Sequence, residues 1–159
     1  MKTTIALAIT NIALSFAGAV HADPPSDAKA TYKDVEKTLN FVPAFMHEFP
    51  ESEVAAVWSE LKTVQMNPST ALPMKTKELI GLAVASQIPC QYCIYFHTAA
   101  AKANGASDEE IREAVAMAAI VRHWSTVLNG MQVDLAGFKR ETDTVLRMAG
   151  EKAKTVGVK

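Results

Sequence analysis

Apolar residues recur at helical spacing along most of this chain. "TYKDVEKTLNFV" predicts a short helix with Thr31 as its N-cap, and Pro43 opens a helix of one or two turns that ends before Pro50. Residues 51–66 carry an apolar residue at every third or fourth position, which predicts a longer helix. No stretch alternates between apolar and polar residues for long enough to indicate a strand. The pattern therefore predicts an all-α fold.

The same pattern is stronger in the second half of the chain. Residues 67–73 contain two prolines and predict a loop. The next helix is predicted over Met74–Gln87 and is apolar nearly all round after Glu78, so we expect it at the centre of the bundle. A following helix begins near Cys90 and stops at "ANG", where Gly105 has the place of a C′ residue.

Two more helical segments follow. "SDEE" has the pattern of a capping box, with Ser107 as the N-cap and Glu110 as its partner, and it opens an apolar helix. Another helical segment covers residues 131–148, with Gly130 and Gly137 as the two candidate positions for a break. With no internal repeat, these elements predict one helical domain.

The first 22 residues have the pattern of a secretory signal peptide. Lys2 gives a short positive region, Ile5–Val20 is apolar, and Ala22 is the small residue before a predicted cleavage site. A retained membrane anchor is the alternative, but the run is short for a bilayer span and contains Asn11. We therefore expect an exported protein, periplasmic or secreted, whose mature domain covers residues 23–159.

Composition narrows the set of partners. The chain has 16 basic and 17 acidic residues, and without Lys2 the net charge would be 15 − 17 = −2. This balance gives no electrostatic reason to expect nucleic acid or anionic lipid as a partner. After cleavage no segment is expected to span a membrane, since residues 79–88 are apolar but too few. Two cysteines are too few for a disulfide scaffold, so apolar burial must hold the core.

The candidate chemistry lies at the start of the helix near Cys90. Cys90, Cys93 and His97 stand at positions i, i+3 and i+7, which places them on one helical face. Pro89 suits a first helical turn, where unpaired N–H groups and the helix dipole favour a thiolate at Cys90. His97, one turn after Cys93, is in reach as a base or hydrogen-bond partner. One cysteine could attack, the second resolve, and the histidine move the proton.

Three interpretations of this pair remain open. Redox chemistry is the one that the helix start and the downstream histidine favour. A structural disulfide would close a loop of only four residues, which removes about 2 kcal/mol of unfolded-state entropy. A zinc site would need Cys90, Cys93, His97 and a carboxylate, whereas structural zinc sites usually take ligands from two elements. A haem attachment motif is excluded, because Ile94 stands where it needs histidine.

Glu78 is a further candidate, twelve positions before Cys90. On its own it is most simply a first-turn carboxylate that interacts with the helix dipole. The helix after it enters the core, however, so the carboxylate is expected to be partly desolvated and suited to proton transfer. Several other residues have simpler interpretations. Trp124 is expected to be a packed aromatic ring and His123 a hydrogen-bonded histidine, with a place in the site or in a subunit contact as the alternative for both. His47 is expected to be a surface or packing histidine. Solvated cations are expected at Lys75, Lys77 and Arg112.

These residues resemble a known family. "ELIGLAVASQIPCQYCIYFH" is similar to the signature of the alkylhydroperoxidase D-like (AhpD-like) branch of the carboxymuconolactone decarboxylase family, which spaces Glu, Cys, Cys and His as Glu78, Cys90, Cys93 and His97 are spaced. The resemblance covers about residues 73–121, the core of the predicted domain. It implies an all-α AhpD-like bundle, usually assembled into trimers or larger rings, with its catalytic helix starting near Cys90. It also implies a peroxiredoxin-type enzyme without cofactor or metal, which reduces organic hydroperoxides.

The resemblance also implies a role for each residue. Cys93 would attack the peroxide, Cys90 would resolve it, and Glu78 with His97 would form a proton relay. Some members carry a histidine between the cysteines, where this chain has Tyr92. The decarboxylase branch proper lacks the dithiol pair, so the cysteines argue against lactone decarboxylation.

The electron donor and two other functions stay open at this point. The reductant implied by the family is a lipoyl- or thioredoxin-type dithiol, and export leaves its source unidentified. One alternative function is an exported thiol–disulfide oxidoreductase without peroxidase activity. The other is a zinc-binding or structural helical module.

Overall fold

The computed structural model describes residues 27–156, with side chains up to residue 154, and contains only helices, turns and loops in that range. The predicted all-α class is therefore confirmed. The predicted signal peptide, residues 1–22, lies outside the described residues. The chain divides into two compact units, with the boundary between Leu61 and Lys62.

In the first unit, helix α1 spans Ala28–Leu39 and begins earlier than predicted. The N-cap is Asp27, whose Oδ1 accepts the backbone N–H of Ala30 at 3.1 Å. Thr31 was the wrong choice of cap, because the helix begins one turn earlier, where the Asp27 carboxylate accepts a free N–H group of the first turn. Thr31 instead lies inside α1 and is buried.

The rest of this unit follows the predicted pattern. A 3₁₀ helix spans Ala44–Glu48, after Pro43 and before Pro50, as expected. Helix α2 spans Val54–Glu60. The unit buries a small apolar core, and the Trp58 indole N–H donates to Asp34 Oδ2 at 2.6 Å. The buried apolar side chains are Val35, Met46, Val54 and Trp58.

After α2 the chain continues as a π-helix, Leu61–Gln65. The sequence predicted ordinary helix as far as Met66. A π-turn inserts one extra residue into the i→i−4 ladder and is often found at functional sites. Apolar spacing alone does not reveal it, since the apolar positions on both sides still fit a helical repeat.

The second unit holds four helices: α3 (Met74–Gln87), α4 (Gln91–Ala103), α5 (Asp108–Gly130) and α6 (Leu135–Val156). Helix α3 begins and ends where the sequence predicted. It packs against both α4 and α5 and is the central helix of this unit. Its fully buried side chains are Glu78, Leu82 and Ala85.

The turns on either side of α4 are set by local chemistry. Cys90 is the N-cap rather than a first-turn residue, and Pro89 precedes the helix instead of opening it. At the other end Gly105 has φ +83°, the left-handed conformation predicted for it. Ser107 and Glu110 form the predicted capping box at the start of α5. Hydrogen bonds from Lys75 and from the Ser107 N–H lower the pKa of the Glu110 carboxyl.

Helix α5 presents an apolar face to solvent. Four of its residues and its C-cap residue follow alternating spacings of three and four on the side turned away from buried Ala118, and we call these five residues the α5 seam. The seam is Met117, Ile120, Trp124, Val127 and Met131. The prediction of a packed ring at Trp124 is wrong within this chain, since that side chain is 60% exposed. Among the described helices, none is long and apolar enough to cross a bilayer.

Candidate active site

The two cysteines are joined by a disulfide at the start of α4. Their Cα atoms are 5.3 Å apart, an ordinary separation for a bridged pair. The backbone N–H of Cys93 points at Cys90 Sγ, 3.2 Å away, so the first cysteine caps the helix. Both residues are partly exposed, which leaves the pair accessible to a small substrate or a partner thiol.

Glu78 and His97 meet between helices α3 and α4. The Oε2 atom of Glu78 lies 2.7 Å from His97 Nδ1. The Glu78 residue is only 2% exposed, and the His97 side chain is 20% exposed. A buried carboxylate facing Nδ1 orients the imidazole and leaves Nε2 available for proton exchange. The partial desolvation expected for Glu78 is in fact nearly complete.

Because Gly81 has no side chain, the His97 imidazole can lie against the backbone of α3. A Cβ at Gly81 would lie under 3.0 Å from three atoms of the His97 ring: Nδ1, Cε1 and Nε2. The ring therefore rests directly on the α3 backbone, one turn after Glu78. Any larger side chain at this position must displace the ring or separate the two helices.

Two residues that the sequence did not connect with the site contribute to it. Gln65, the last residue of the π-helix, donates from Nε2 to both carboxylate oxygens of Glu78, at 3.2 and 3.3 Å. Lys77 Nζ donates to the carbonyl oxygens of Val64 and Asn67, at 2.6 and 2.7 Å. The prediction of a solvated Lys77 is therefore wrong. No sequence motif marked either residue, because both contacts depend on how the segment after α2 returns to α3.

The surroundings of the disulfide are aromatic. Tyr92, between the cysteines, is 81% exposed, so its ring is turned to solvent and away from buried Glu78. Tyr95 and Phe96 are also exposed, and the Phe96 ring meets the His97 ring edge-on with centroids 5.3 Å apart. Tyr92 thus occupies the position of the extra family histidine without facing the Glu78–His97 pair.

The other sequence assignments have mixed outcomes. Lys75 is partly covered and forms an ion pair with Glu110, so it is not simply solvated. Arg112 pairs with Glu109 while 70% of its side chain stays exposed, in line with the solvated cation expected there. His47 is exposed and contacts the Tyr32 ring at a tilt of 44°, with ring centroids 4.6 Å apart, in line with a surface or packing role. Among residues 27–156, no three His, Cys, Asp or Glu side chains come together as candidate metal ligands.

Comparison with known protein families agrees with the geometry of this site. Residues 52–135 match the model of the carboxymuconolactone decarboxylase family. The chain belongs to this family. The carboxymuconolactone decarboxylase family match includes all four candidate site residues, the π-helix and the α5 seam.

Solved and curated relatives refine the family assignment. The crystal structure of the alkylhydroperoxidase AhpD core from Rhodospirillum rubrum superimposes with a TM-score of 0.59 and 28% identity, covering 68% of this chain and 82% of that one. The chain is therefore an AhpD-like member of the family, as its signature predicted. A Paracoccus denitrificans protein described as "uncharacterized protein 4 in cox locus" is 44% identical over 52 residues, 33% of this chain. The match spans 47% of that relative, about half its length.

Proposed function

We propose that this protein is a thiol-dependent peroxidase that reduces organic hydroperoxides. The observation that carries the proposal is the pairing of buried Glu78 with His97, 2.7 Å apart, where His97 lies on the same helix, α4, as the Cys90–Cys93 disulfide. A structural disulfide needs no buried acid–base pair beside it. A thiol that must lose a proton does, because the thiolate is the nucleophile. The AhpD-like fold supports the same conclusion.

The first step takes place at Cys93. His97 Nε2 accepts the Cys93 proton while Nδ1 stays paired with Glu78. The thiolate attacks one peroxide oxygen, an S–O bond forms and the O–O bond breaks. The alkoxide leaves with two electrons from sulfur and takes a proton to become an alcohol. Cys93 is then a sulfenic acid.

The second step uses Cys90 and regenerates the enzyme. The Cys90 thiolate attacks the sulfenic sulfur, the S–S bond forms, and hydroxide leaves as water after protonation. An external dithiol, of lipoyl or thioredoxin type, then exchanges with the disulfide at exposed Cys90. The donor becomes a disulfide and the protein returns to its dithiol form. Because residues 1–22 have the pattern of a signal peptide, we propose that this cycle takes place outside the cytoplasm.

The test compares oxidants for the reduced pair. Reduced protein, freed of excess dithiol, is mixed with cumene hydroperoxide or with an oxidised dithiol protein at equal concentration, and thiol loss is followed. We expect hydroperoxide to oxidise the pair at least about tenfold faster and to yield one alcohol per disulfide formed. Protein alkylated at both cysteines is the control. Faster oxidation by the disulfide would favour a thiol–disulfide oxidoreductase, and bound zinc with protected thiols would favour a zinc module.

We also propose that a second copy of this chain covers the α5 seam. Half-exposed side chains of this size present on the order of 100 Å² each, so the seam offers roughly 500 Å², near the upper end of patches on monomers. A stable interface buries roughly 800 Å² per partner, so it takes in more surface than the seam alone. Helix α6 also exposes apolar side chains. These are Leu135, Val145, Leu146 and Met148.

Charges placed in the seam should separate the copies. We expect the wild-type protein to sediment as a trimer or a multiple of one, and Ile120→Lys/Trp124→Lys to sediment as a monomer, because two ammonium groups cannot be buried there unpaired. Ala119→Lys/Thr126→Lys adds the same charge on the same helix outside the seam and should keep the wild-type mass. Sedimentation equilibrium measures all three. A monomeric wild-type protein would contradict the proposal.

A further inference from the structure

We propose that Gln65 is a positioning residue, whose side-chain amide holds the Glu78 carboxylate so that Oε2 meets His97 Nδ1 and the imidazole keeps Nε2 unprotonated. Only the expected effect of Gln65 on the oxidation rate rests on the proposed function. The orientation of the imidazole is a property that can be measured whether or not the protein reduces peroxides.

The contact geometry supports this role. Gln65 Nε2 is almost equidistant from the two oxygens of Glu78, at 3.2 and 3.3 Å, so the amide faces the carboxylate symmetrically. An ionised carboxylate only accepts hydrogen bonds, and an amide NH₂ only donates them. The contact is therefore complementary to the ionised form. With Glu78 ionised and the imidazole neutral, the hydrogen of His97 lies on Nδ1.

Burial makes this hydrogen bond important. Glu78 is 2% exposed, so water supplies little of the solvation that its carboxylate needs. Two side chains, Gln65 and His97, form hydrogen bonds with that carboxylate. If the Gln65 amide is lost, only the His97 contact orients the carboxylate, and Oε2 is held less firmly against Nδ1.

The backbone at Gln65 is itself anchored. Lys77 Nζ donates to the carbonyl oxygens of Val64 and Asn67, which lie on the two sides of Gln65 in sequence. Lys77 is also the residue before Glu78. One lysine therefore ties the end of the π-helix to the turn of α3 that carries the carboxylate. The π-turn at residues 61–65 shifts the helix register by one residue, which is how Gln65 faces α3.

The test reads the tautomer of His97 directly. Protein labelled with ¹⁵N-histidine is measured by long-range ¹H–¹⁵N correlation at about pH 8.5, where a free imidazole is neutral. The His97 signals are assigned by their loss in His97→Asn. We expect one tautomer in the wild type, with hydrogen on Nδ1. In Gln65→Met, which keeps the length but removes the donor, the two nitrogen signals should move toward each other as the tautomers mix.

Two further variants sharpen the result. Gln65→Glu has the same shape but replaces the donor with a carboxylate, so it should disturb the tautomer at least as strongly. Gln87→Met is the matched control, because Gln87 is also a partly buried glutamine but lies at the far end of α3 from Glu78. Its side chain donates to the Ala118 carbonyl. It should leave the His97 signals unchanged. If bulk rather than the donor matters, Gln65→Met and Gln65→Glu will both keep the wild-type tautomer, and the proposal is wrong.

The kinetic consequence distinguishes this inference from the proposed function. In Gln65→Met the rate of Cys93 oxidation by hydroperoxide should fall about tenfold, the usual scale for losing a hydrogen bond to a charged group. If the wild type consumes no hydroperoxide, the proposed function fails, while the tautomer experiment still decides the role of Gln65. A wild-type His97 with hydrogen on Nε2 would overturn the inference alone.

Discussion

Cys93→Ser is expected to lower hydroperoxide consumption by at least about 10³-fold, because it removes the proposed nucleophile while a serine hydroxyl stays protonated at neutral pH. Cys90→Ser is expected to behave differently. Cys93 should still react once, giving one equivalent of alcohol and a sulfenic acid that has no resolving thiol. Turnover with an external dithiol should then slow strongly. The measurements are alcohol released per protein and trapping of the sulfenic acid with dimedone.

The two serine variants are each other's control. Both remove the disulfide and both keep a side chain of similar size, so a structural role for the pair would affect them equally. A burst of alcohol in Cys90→Ser and none in Cys93→Ser assigns the attacking sulfur. Equal turnover by the wild type and both variants would end the dithiol mechanism. A burst in Cys93→Ser instead would reverse the two roles.

Gly81→Ala is expected to slow oxidation of the reduced pair by hydroperoxide about 10²-fold. A Cβ at this position would lie under 3.0 Å from three atoms of the His97 ring, so the imidazole must move away from α3. Displacements near 1 Å at a catalytic group cost rates of this order. The rate is measured in a single turnover, and folding is checked by circular dichroism and urea unfolding.

Gly150→Ala provides the matched control in α6. The same Cβ there meets nothing within 4 Å, so alanine should raise the free energy of unfolding by about 0.5–1 kcal/mol and leave the oxidation rate unchanged. If Gly81→Ala keeps the wild-type rate, the close approach of the ring to α3 has no catalytic role. The conclusion would be the same if the oxidation rate of Gly81→Ala fell only in proportion to the fraction of protein that is unfolded.

The sequence predicted the second unit better than the first. The bounds of α3, the capping box at Ser107 and the left-handed Gly105 were all predicted, because each depends on neighbours within a few residues. The start of α1 was misplaced, since Asp27 and Thr31 are both good caps and only the fold selects one. The π-helix at residues 61–65 was missed because an inserted residue leaves no clear mark on apolar spacing.

By itself the sequence determined the all-α class, the family, and the set of four residues Glu78, Cys90, Cys93 and His97. Their spacing places two cysteines and a histidine on one helical face, and a carboxylate at the start of the helix before it. The tertiary structure decided what that carboxylate contacts. It buried Glu78 against His97, set the ring on Gly81, and brought Gln65 back to both carboxylate oxygens. Such contacts depend on how helices pack, and helix packing is decided by side chains far apart in sequence.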